Sequence, residues 1–154
     1  MKKLFIGLTI VMCILSACTE KPKREADWQP SSFDPVNKLE GVTMSTKPGT
    51  ATATGLTVTI DNGSNERLLY GQYFSVEKKN GGHWYEVPIL EDAYSFIDLG
   101  HIVEAQKSVE WEVDWEGYYG ILDHGQYRIL KDFRNSEAGT DDETYHLTAE
   151  FTVQ

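Results

Sequence analysis

The chain has 154 residues, is 40% hydrophobic, 25% charged and 12% aromatic, and carries 14 Lys and Arg against 24 Asp and Glu. This length and composition fit a single globular domain and exclude a disordered chain, which would have too few apolar and aromatic residues to form a core. The net charge of -10 argues against a nucleic-acid-binding protein, because such proteins need clustered cations to displace counterions.

The first predicted element is a leader at residues 1–17. Lysines at positions 2 and 3 precede an apolar run over residues 4–15, and small residues follow at positions 16 and 17. This is the layout of a secretory signal peptide. The apolar run is too short for a transmembrane helix, which needs roughly 20 residues.

Residues 15–18, Leu-Ser-Ala-Cys, resemble the lipobox of bacterial lipoproteins. The resemblance implies cleavage before Cys18 and attachment of diacylglycerol to its thiol, with palmitate among the usual acyl chains. The mature protein would then be anchored in the cell membrane on the extracytoplasmic face, since two or three acyl chains hold a protein stably. Because Cys13 lies in the removed leader, the mature chain would keep one lipidated cysteine and no disulfide. The alternative is an ordinary leader with an incidental cysteine.

Residues 18–41 are predicted to comprise the lipidated cysteine and a flexible tether. Three prolines, a Ser-Ser pair and mixed charges interrupt any periodic pattern in this segment. As a flexible coil, residues 19–41 would span roughly 25–30 Å. Trp28 and Phe33 in the tether could pack on the domain, dip toward lipid, or have no role.

From residue 42 onward, apolar and polar residues alternate with period two, which predicts about seven half-buried strands in residues 42–154. The Lys-Asn-Gly-Gly sequence at residues 79–82 predicts a hairpin turn. Only residues 86–104 are ambiguous, between a short helix and an irregular loop. The last strand could form a sheet edge with a polar outer face. The clearest inward positions are Leu56, Val58, Ile60, Val109, Trp111, Val113, Trp115, Tyr127, Ile129, Phe133, Leu147, Ala149, Phe151 and Val153.

Residues 122–127, Leu-Asp-His-Gly-Gln-Tyr, have the L-x-x-G-x-Y pattern that precedes a late strand in many immunoglobulin-like domains. Together with residues 56–62, 70–73, 83–88 and 125–129, this motif resembles a bacterial Ig-like domain family found in secreted proteins and lipoproteins. The resemblance implies an all-β, immunoglobulin-like β-sandwich of two antiparallel sheets, without the inter-sheet disulfide of antibody domains. It assigns Tyr127 to a tyrosine corner, in which the hydroxyl bonds back to the preceding turn. It implies no particular activity.

The sharpest candidate surface is an acidic stripe of four alternating residues, Glu110, Glu112, Asp114 and Glu116. Alternation along a strand would place all four side chains on one face, roughly 6.5–7 Å apart. Such a face could dock a cationic partner or hold calcium loosely. It could equally be a solvated face that keeps the protein soluble.

The sequence has no clear motif for metal binding or for catalysis. The acidic loops at residues 61–65 and 141–143 do not have EF-hand spacing, and turn chemistry or solvation accounts for them. The four histidines, at positions 83, 101, 124 and 146, lack metal-ligand spacing. No G-x-S-x-G nucleophile elbow occurs. We therefore predict no metal, no cofactor and no enzymatic activity.

Five aromatic residues outside the clearest core positions could form a sugar-binding platform. A half-exposed Trp84 beside Tyr118 or Tyr119 would favour this interpretation, whereas packing in the core or in loops would remove it. The full set is Trp84, Tyr85, Tyr94, Tyr118 and Tyr119.

The sequence thus predicts a membrane-anchored bacterial lipoprotein whose non-catalytic Ig-like domain acts as a protein-interaction or accessory module at the cell surface. The main alternative is a module that binds carbohydrate or another cell-wall ligand, and a small hydrolase or inhibitor is a third hypothesis. The acidity lies almost wholly in residues 42–154, which carry 8 basic and 19 acidic side chains. That charge would repel an anionic membrane surface at short range, which fits a domain held on a tether.

Overall fold

A computed structural model describes residues 25–90, 99–137 and 143–154 of the protein. In these ranges the chain forms nine β-strands, a single-turn 3-10 helix at Glu25–Asp27 and a four-residue helix. None of the helices in these ranges is long and apolar enough to cross a membrane. The elements are β1 Val42–Thr46, β2 Gly55–Asn62, β3 Leu68–Tyr70, β4 Ser75–Asn80, β5 His83–Glu86, β6 His101–Val103, β7 Lys107–Asp114, α1 Glu116–Tyr119, β8 Gly125–Asn135 and β9 Tyr145–Val153.

The strands form two antiparallel sheets that pack face to face. The smaller sheet has the order β1-β2-β7. In the larger sheet, the long strand β8 pairs with β9 along one side and with β4 and β3 along the other, and β5 and β6 extend β4 and β3 outward. This confirms the predicted all-β, immunoglobulin-like sandwich of two antiparallel sheets.

Two short strands account for the difference between nine strands and the predicted seven. β3 and β6 have three residues each, which is too few for alternation to be recognised in the sequence. β6 also lies in the segment that the sequence left ambiguous, and residues 91–98 of that segment are outside the described residues. The predicted hairpin is confirmed, because β4 and β5 pair across Gly81 and Gly82, whose φ angles are 57° and 86°.

The core lies between the two sheets and consists of the inward residues of β2, β8 and β9, among others. Trp115 closes one end of the core: it is fully buried, its ring centroid lies 5.2 Å from that of Phe151, and its indole N–H donates to the carbonyl of Ala53 at 3.0 Å. Trp111 is only partly buried against the core. Residues 25–90, 99–137 and 143–154 contain no cysteine, and the packing between the sheets there comes from apolar burial, in which each large aromatic ring removes about 150–250 Å² from water.

Tyr127 links the start of β8 to the segment before it. Its hydroxyl donates to the carbonyl of Asp123 at 2.9 Å, four residues earlier, and its ring stacks on Phe151 with the centroids 5.6 Å apart. This is the geometry of a tyrosine corner. Burial raises the pKa of the Tyr127 phenol, opposed by the nearby Lys78 ammonium.

The prediction of a free coil over residues 19–41 is wrong for residues 29–37, which we call the strap. Near its start, the Gln29 carbonyl accepts from Glu86 N–H at 2.9 Å, and Ser31 N–H donates to the Trp84 carbonyl at 2.9 Å. At its end, the Asn37 amide bonds both the backbone N–H and the hydroxyl of Thr148, at 2.8 and 2.9 Å. The strap therefore crosses the outer face of the larger sheet from β5 to β9. The predicted leader and Cys18 lie outside the described residues.

Candidate functional site

The acidic stripe begins on β7, at the edge of the smaller sheet. Glu110, Glu112 and Asp114 are exposed on its outer face, while Val113 between them is buried. The prediction that Glu116 continues this row along the strand is wrong, because β7 ends at Asp114 and Glu116 begins α1. The chain leaves the strand there because the Trp115 carbonyl accepts from the backbone N–H groups of Tyr118 and Tyr119, at 2.9 and 2.8 Å.

Two of the stripe's carboxylates already have partners. Glu110 accepts from the Lys47 ammonium at 2.7 and 2.9 Å, and both side chains are about half exposed, so this ion pair contributes at most about 1 kcal/mol. Asp114 accepts from the backbone N–H of Glu116 at 3.0 Å, which fixes the start of α1. Within the described residues, no three His, Cys, Asp or Glu side chains gather closely enough to hold a metal ion. The stripe is therefore a hydrophilic face that can attract cations without enclosing one.

The aromatic candidates are distributed over both faces of the larger sheet. Trp84 lies on the outer face, with the Arg128 guanidinium 4.6 Å and the Lys79 ammonium 5.2 Å from its ring centroid. Tyr119 is buried on the inner side, where its hydroxyl donates to the Phe74 carbonyl at 3.2 Å. Tyr118 is half-buried and packs edge-to-face on Phe74, with centroids 5.9 Å apart.

This arrangement does not form the sugar platform that the sequence allowed. The sheet separates Trp84 from Tyr119, and cations occupy the space around the Trp84 ring. Tyr85 is half-buried beside Pro30 of the strap, with which it forms a β-bridge. Tyr94 lies outside the described residues.

A buried lysine between the sheets was missed by the sequence analysis. Lys131 is 1% exposed, its ammonium donates to the Tyr73 carbonyl, and it lies 4.6 Å from the ring centroid of Trp111 and 5.4 Å from that of Tyr70. Burial lowers the pKa of Lys131 to about 8, opposed by the neighbouring Asp132 carboxylate. The sequence did contain a signal for this burial, because position 131 has the same parity as the inward residues of β8.

A second missed feature is a buried ion pair under the strap. The Arg128 guanidinium donates to Glu77 at 2.6 Å, with the two side chains 8% and 0% exposed. Arg128 also donates to the Ser31 hydroxyl of the strap at 3.1 Å. Among the described residues, no donor reaches the other carboxylate oxygen of Glu77. Alternation alone would have placed both side chains in solvent, so their burial depends on the strap.

The β3–β6 edge carries an exposed apolar patch, which we define as Leu69, Leu99 and Ile102. Leu69 and Ile102 are directly opposite in the register and are 37% and 39% exposed, and Leu99 is 50% exposed. A Cβ atom at Gly100 would lie 2.8 Å from a methyl group of Leu69, so the patch is locally continuous. Apolar groups clustered on an edge are a frequent feature of protein-binding surfaces.

The histidines do not form a catalytic arrangement in the described part of the chain. His146 bonds Asp132 at 2.7 Å, but the two side chains are 32% and 47% exposed and lie on the outer face of the larger sheet. His101 stacks on Tyr70 with centroids 5.2 Å apart. These contacts are those of surface packing and do not form the buried pair in a cleft that would favour an enzyme.

The fold, the tyrosine-corner geometry and the disulfide-free core agree with a comparison to known families. Residues 38–152 match the family model of the bacterial Ig-like domain. The chain belongs to this family. No curated protein matches the chain.

Membership in this family indicates the function only in general terms. Ig-like domain families are generally non-catalytic, and bacterial Ig-like domains are often extracellular or surface-exposed. The match begins at residue 38, four residues before the predicted boundary of the domain. The whole strap, residues 29–37, therefore precedes the family match in the sequence while packing on the domain in the structure.

Proposed function

We propose that this protein is a lipid-anchored bacterial lipoprotein that presents its Ig-like domain as a protein-interaction module on the extracytoplasmic side of the cell membrane. The observation that carries the proposal is the pairing of a lipobox-like sequence, residues 15–18, with a bacterial Ig-like domain that begins only about 20 residues later. Acylation of Cys18 would concentrate the domain at the membrane without a transmembrane helix.

The apolar patch supports binding of a protein. Leu69 and Ile102, which face each other on β3 and the edge strand β6, would lose contact with water upon docking. At about 25 cal/mol per Å² of apolar area, such burial can drive association. The acidic stripe lies on the outer face of the other sheet and is a separate surface that would attract a cationic partner.

The anchor is tested by replacing Cys18 with alanine. We expect the wild-type protein to be found with membranes and to incorporate radiolabelled palmitate, and the Cys18→Ala variant to lose both properties. Cys13→Ala is the matched control, because Cys13 lies in the predicted leader and should not affect either readout. Membrane association of Cys18→Ala equal to that of the wild type would contradict the anchor.

The interaction module is tested by crosslinking in intact bacterial cells with the wild type and a Leu69→Asp/Ile102→Asp variant. We expect specific crosslinked proteins in the wild type that are lost in the variant. Leu90→Asp is the matched control, because Leu90 is also an exposed apolar residue, at 47%, but lies away from β6. An identical crosslinking pattern in all three proteins would contradict a role for the patch.

A further inference from the structure

The sequence contains two Asn-Gly pairs, at residues 62–63 and 80–81. An asparagine can lose ammonia when the backbone nitrogen of the following residue attacks its side-chain carbonyl carbon, and a following glycine hinders this attack least because it has no Cβ atom. The reaction needs a side chain that is free to turn toward the backbone, a backbone N–H without an acceptor, and access to water. The fold provides these conditions very differently at the two sites.

Asn62, the last residue of β2, is held by hydrogen bonds on every side. It is fully buried, and its side-chain nitrogen donates to three backbone carbonyls at 2.8, 3.1 and 3.2 Å. Its side-chain oxygen accepts from the backbone N–H and the hydroxyl of Ser64, at 3.1 and 2.6 Å. The attacking nitrogen would be that of Gly63, which donates to the Gly41 carbonyl at 2.8 Å. Turning the Asn62 side chain toward this nitrogen would leave several buried polar groups without partners.

Asn80 meets the opposite conditions at the tip of the β4–β5 hairpin. It is exposed at the last position of β4 and is paired in the register with His83, so that Gly81 and Gly82 alone form the turn. Both glycines are exposed, and a Cβ atom at either of them would meet no other atom within 4 Å. Among the described residues, no hydrogen bond holds the Asn80 side chain or the N–H of Gly81.

The hairpin tip can open without disturbing the core. β4 and β5 form four residue pairs, and the pair of Asn80 with His83 is the last of them. Terminal pairs at an exposed turn open at a much lower free-energy cost than buried parts of a structure, and the two glycines of this turn rotate freely. Opening releases the backbone of Asn80 from its strand conformation, so that the side chain can approach the Gly81 nitrogen.

We propose that Asn80 is a site of spontaneous deamidation in the folded protein and that the fold protects Asn62 from the same reaction. The Gly81 nitrogen bonds to the Cγ atom of Asn80 and gives its proton to water, and the bond from Cγ to the side-chain nitrogen breaks, which releases ammonia and leaves a succinimide ring. Water then opens the ring at either of its two carbonyl carbons and leaves aspartate or isoaspartate at position 80. In total, one water is consumed and one ammonia is released, without oxidation or reduction.

Both products add a carboxylate where the segment at residue 25 meets the domain. Asn80 lines a small cavity together with Glu25 and Lys78, whose side chains form an ion pair. The modification would therefore place a second carboxylate beside the Lys78 ammonium. Isoaspartate would also lengthen the main chain by one CH₂ group directly before the turn. The inference depends neither on the proposed lipid anchor nor on a binding partner.

The test compares the two asparagines within one protein. The full-length protein, purified in detergent, is incubated at mildly alkaline pH in native buffer and, in parallel, in a denaturing concentration of guanidinium chloride. Peptides that contain Asn62 and Asn80 are then followed by mass spectrometry through the mass increase from amide to acid. Chromatography against synthetic peptides separates aspartate from isoaspartate.

In the folded protein we expect Asn80 to deamidate at least about tenfold faster than Asn62, because the opening that frees Asn80 is much less costly. In guanidinium chloride the two sites should react at similar rates, since a glycine follows both. Equal rates at the two sites in the folded protein would overturn the proposal. So would an unmodified Asn80 after a period in which the denatured chain has reacted at both sites.

An Asn80→Gln variant tests the chemistry of the step. Glutamine keeps the exposed amide but is longer by one CH₂ group, so that attack by the Gly81 nitrogen would have to close a larger and less favourable ring. We expect acid at position 80 to be lost in this variant, with the rate at Asn62 unchanged. Formation of acid at position 80 as fast as in the wild type would contradict attack by the Gly81 nitrogen.

Discussion

Replacing the buried Lys131 with methionine tests the most unusual feature of the core. The ammonium is buried away from water. One backbone carbonyl and two aromatic rings replace part of its lost hydration. Burial lowers the pKa from the ordinary 10.5 to about 8. At about 1.4 kcal/mol per tenfold change in the protonation constant, this difference corresponds to roughly 3 kcal/mol of unfolding free energy.

The sign of the effect follows from where the proton is bound. Below pH 8 the amine is protonated in both states, and the folded state bears the cost of desolvating it. Between about pH 8 and 10.5 the folded protein has lost the proton while the unfolded chain retains it. Stability rises with pH wherever the unfolded state binds more protons, so the contribution of Lys131 becomes less unfavourable across this interval.

The measurement is chemical denaturation of wild type and Lys131→Met at a series of pH values from 7 to 11. We expect the wild type to gain roughly 3 kcal/mol relative to the variant between pH 7 and pH 10.5, whatever the offset between them at pH 7. Tyr127, whose pKa is raised by burial, titrates in both proteins and cancels in the difference. The comparison is made in a Tyr70→Phe background, because the Tyr70 ring lies 5.4 Å from the Lys131 ammonium and would titrate differently in the variant. Lys107→Met, at an exposed lysine, is the control. Parallel curves for wild type and Lys131→Met would refute the reasoning.

Three further variants test other parts of the structure. Tyr127→Phe removes the donor to the Asp123 carbonyl and should lower the unfolding free energy by about 1–2 kcal/mol, and an unchanged denaturation midpoint would count against the tyrosine corner. Arg128→Met leaves the Glu77 carboxylate buried without its cation and should cost about 3–5 kcal/mol in thermal or chemical unfolding; a cost below about 1 kcal/mol would mean that water already reaches this carboxylate. Neutralising Glu110, Glu112 and Asp114 together with amides should change stability by less than about 1 kcal/mol, and a larger loss would assign the stripe a structural role.

The alternation of apolar and polar residues predicted which side chains of each strand point into the core. It did not predict which residues of other strands those side chains contact. Along β8, Tyr127, Ile129 and Phe133 point inward as expected. Lys131 has the same parity, and the rings of Tyr70 and Trp111 surround its buried ammonium. Tyr70 lies on the neighbouring strand β3 and Trp111 on β7 of the opposite sheet, and a period of two in β8 contains no information about either ring.

The same limit applies to the ends of strands and to the candidate site. Glu116 continues the alternating pattern of Glu110, Glu112 and Asp114 in the sequence, yet the chain has already turned into α1. The aromatic candidates could be named from the sequence but not assigned to a face, because the decisive contacts join residues far apart in the chain, such as Tyr119 and Phe74. The apolar patch was missed because β3 and β6 are too short to show a pattern.

The strap explains why an ion pair can be buried on the outer face of a sheet. A carboxylate such as Glu77 would ordinarily remain in water at this position of β4, since leaving water costs several kcal/mol per ion. The strap excludes solvent there while supplying the Ser31 hydroxyl to Arg128, and Asn37 attaches its other end to Thr148 of β9. The folding unit therefore extends N-terminal to the family match at residue 38.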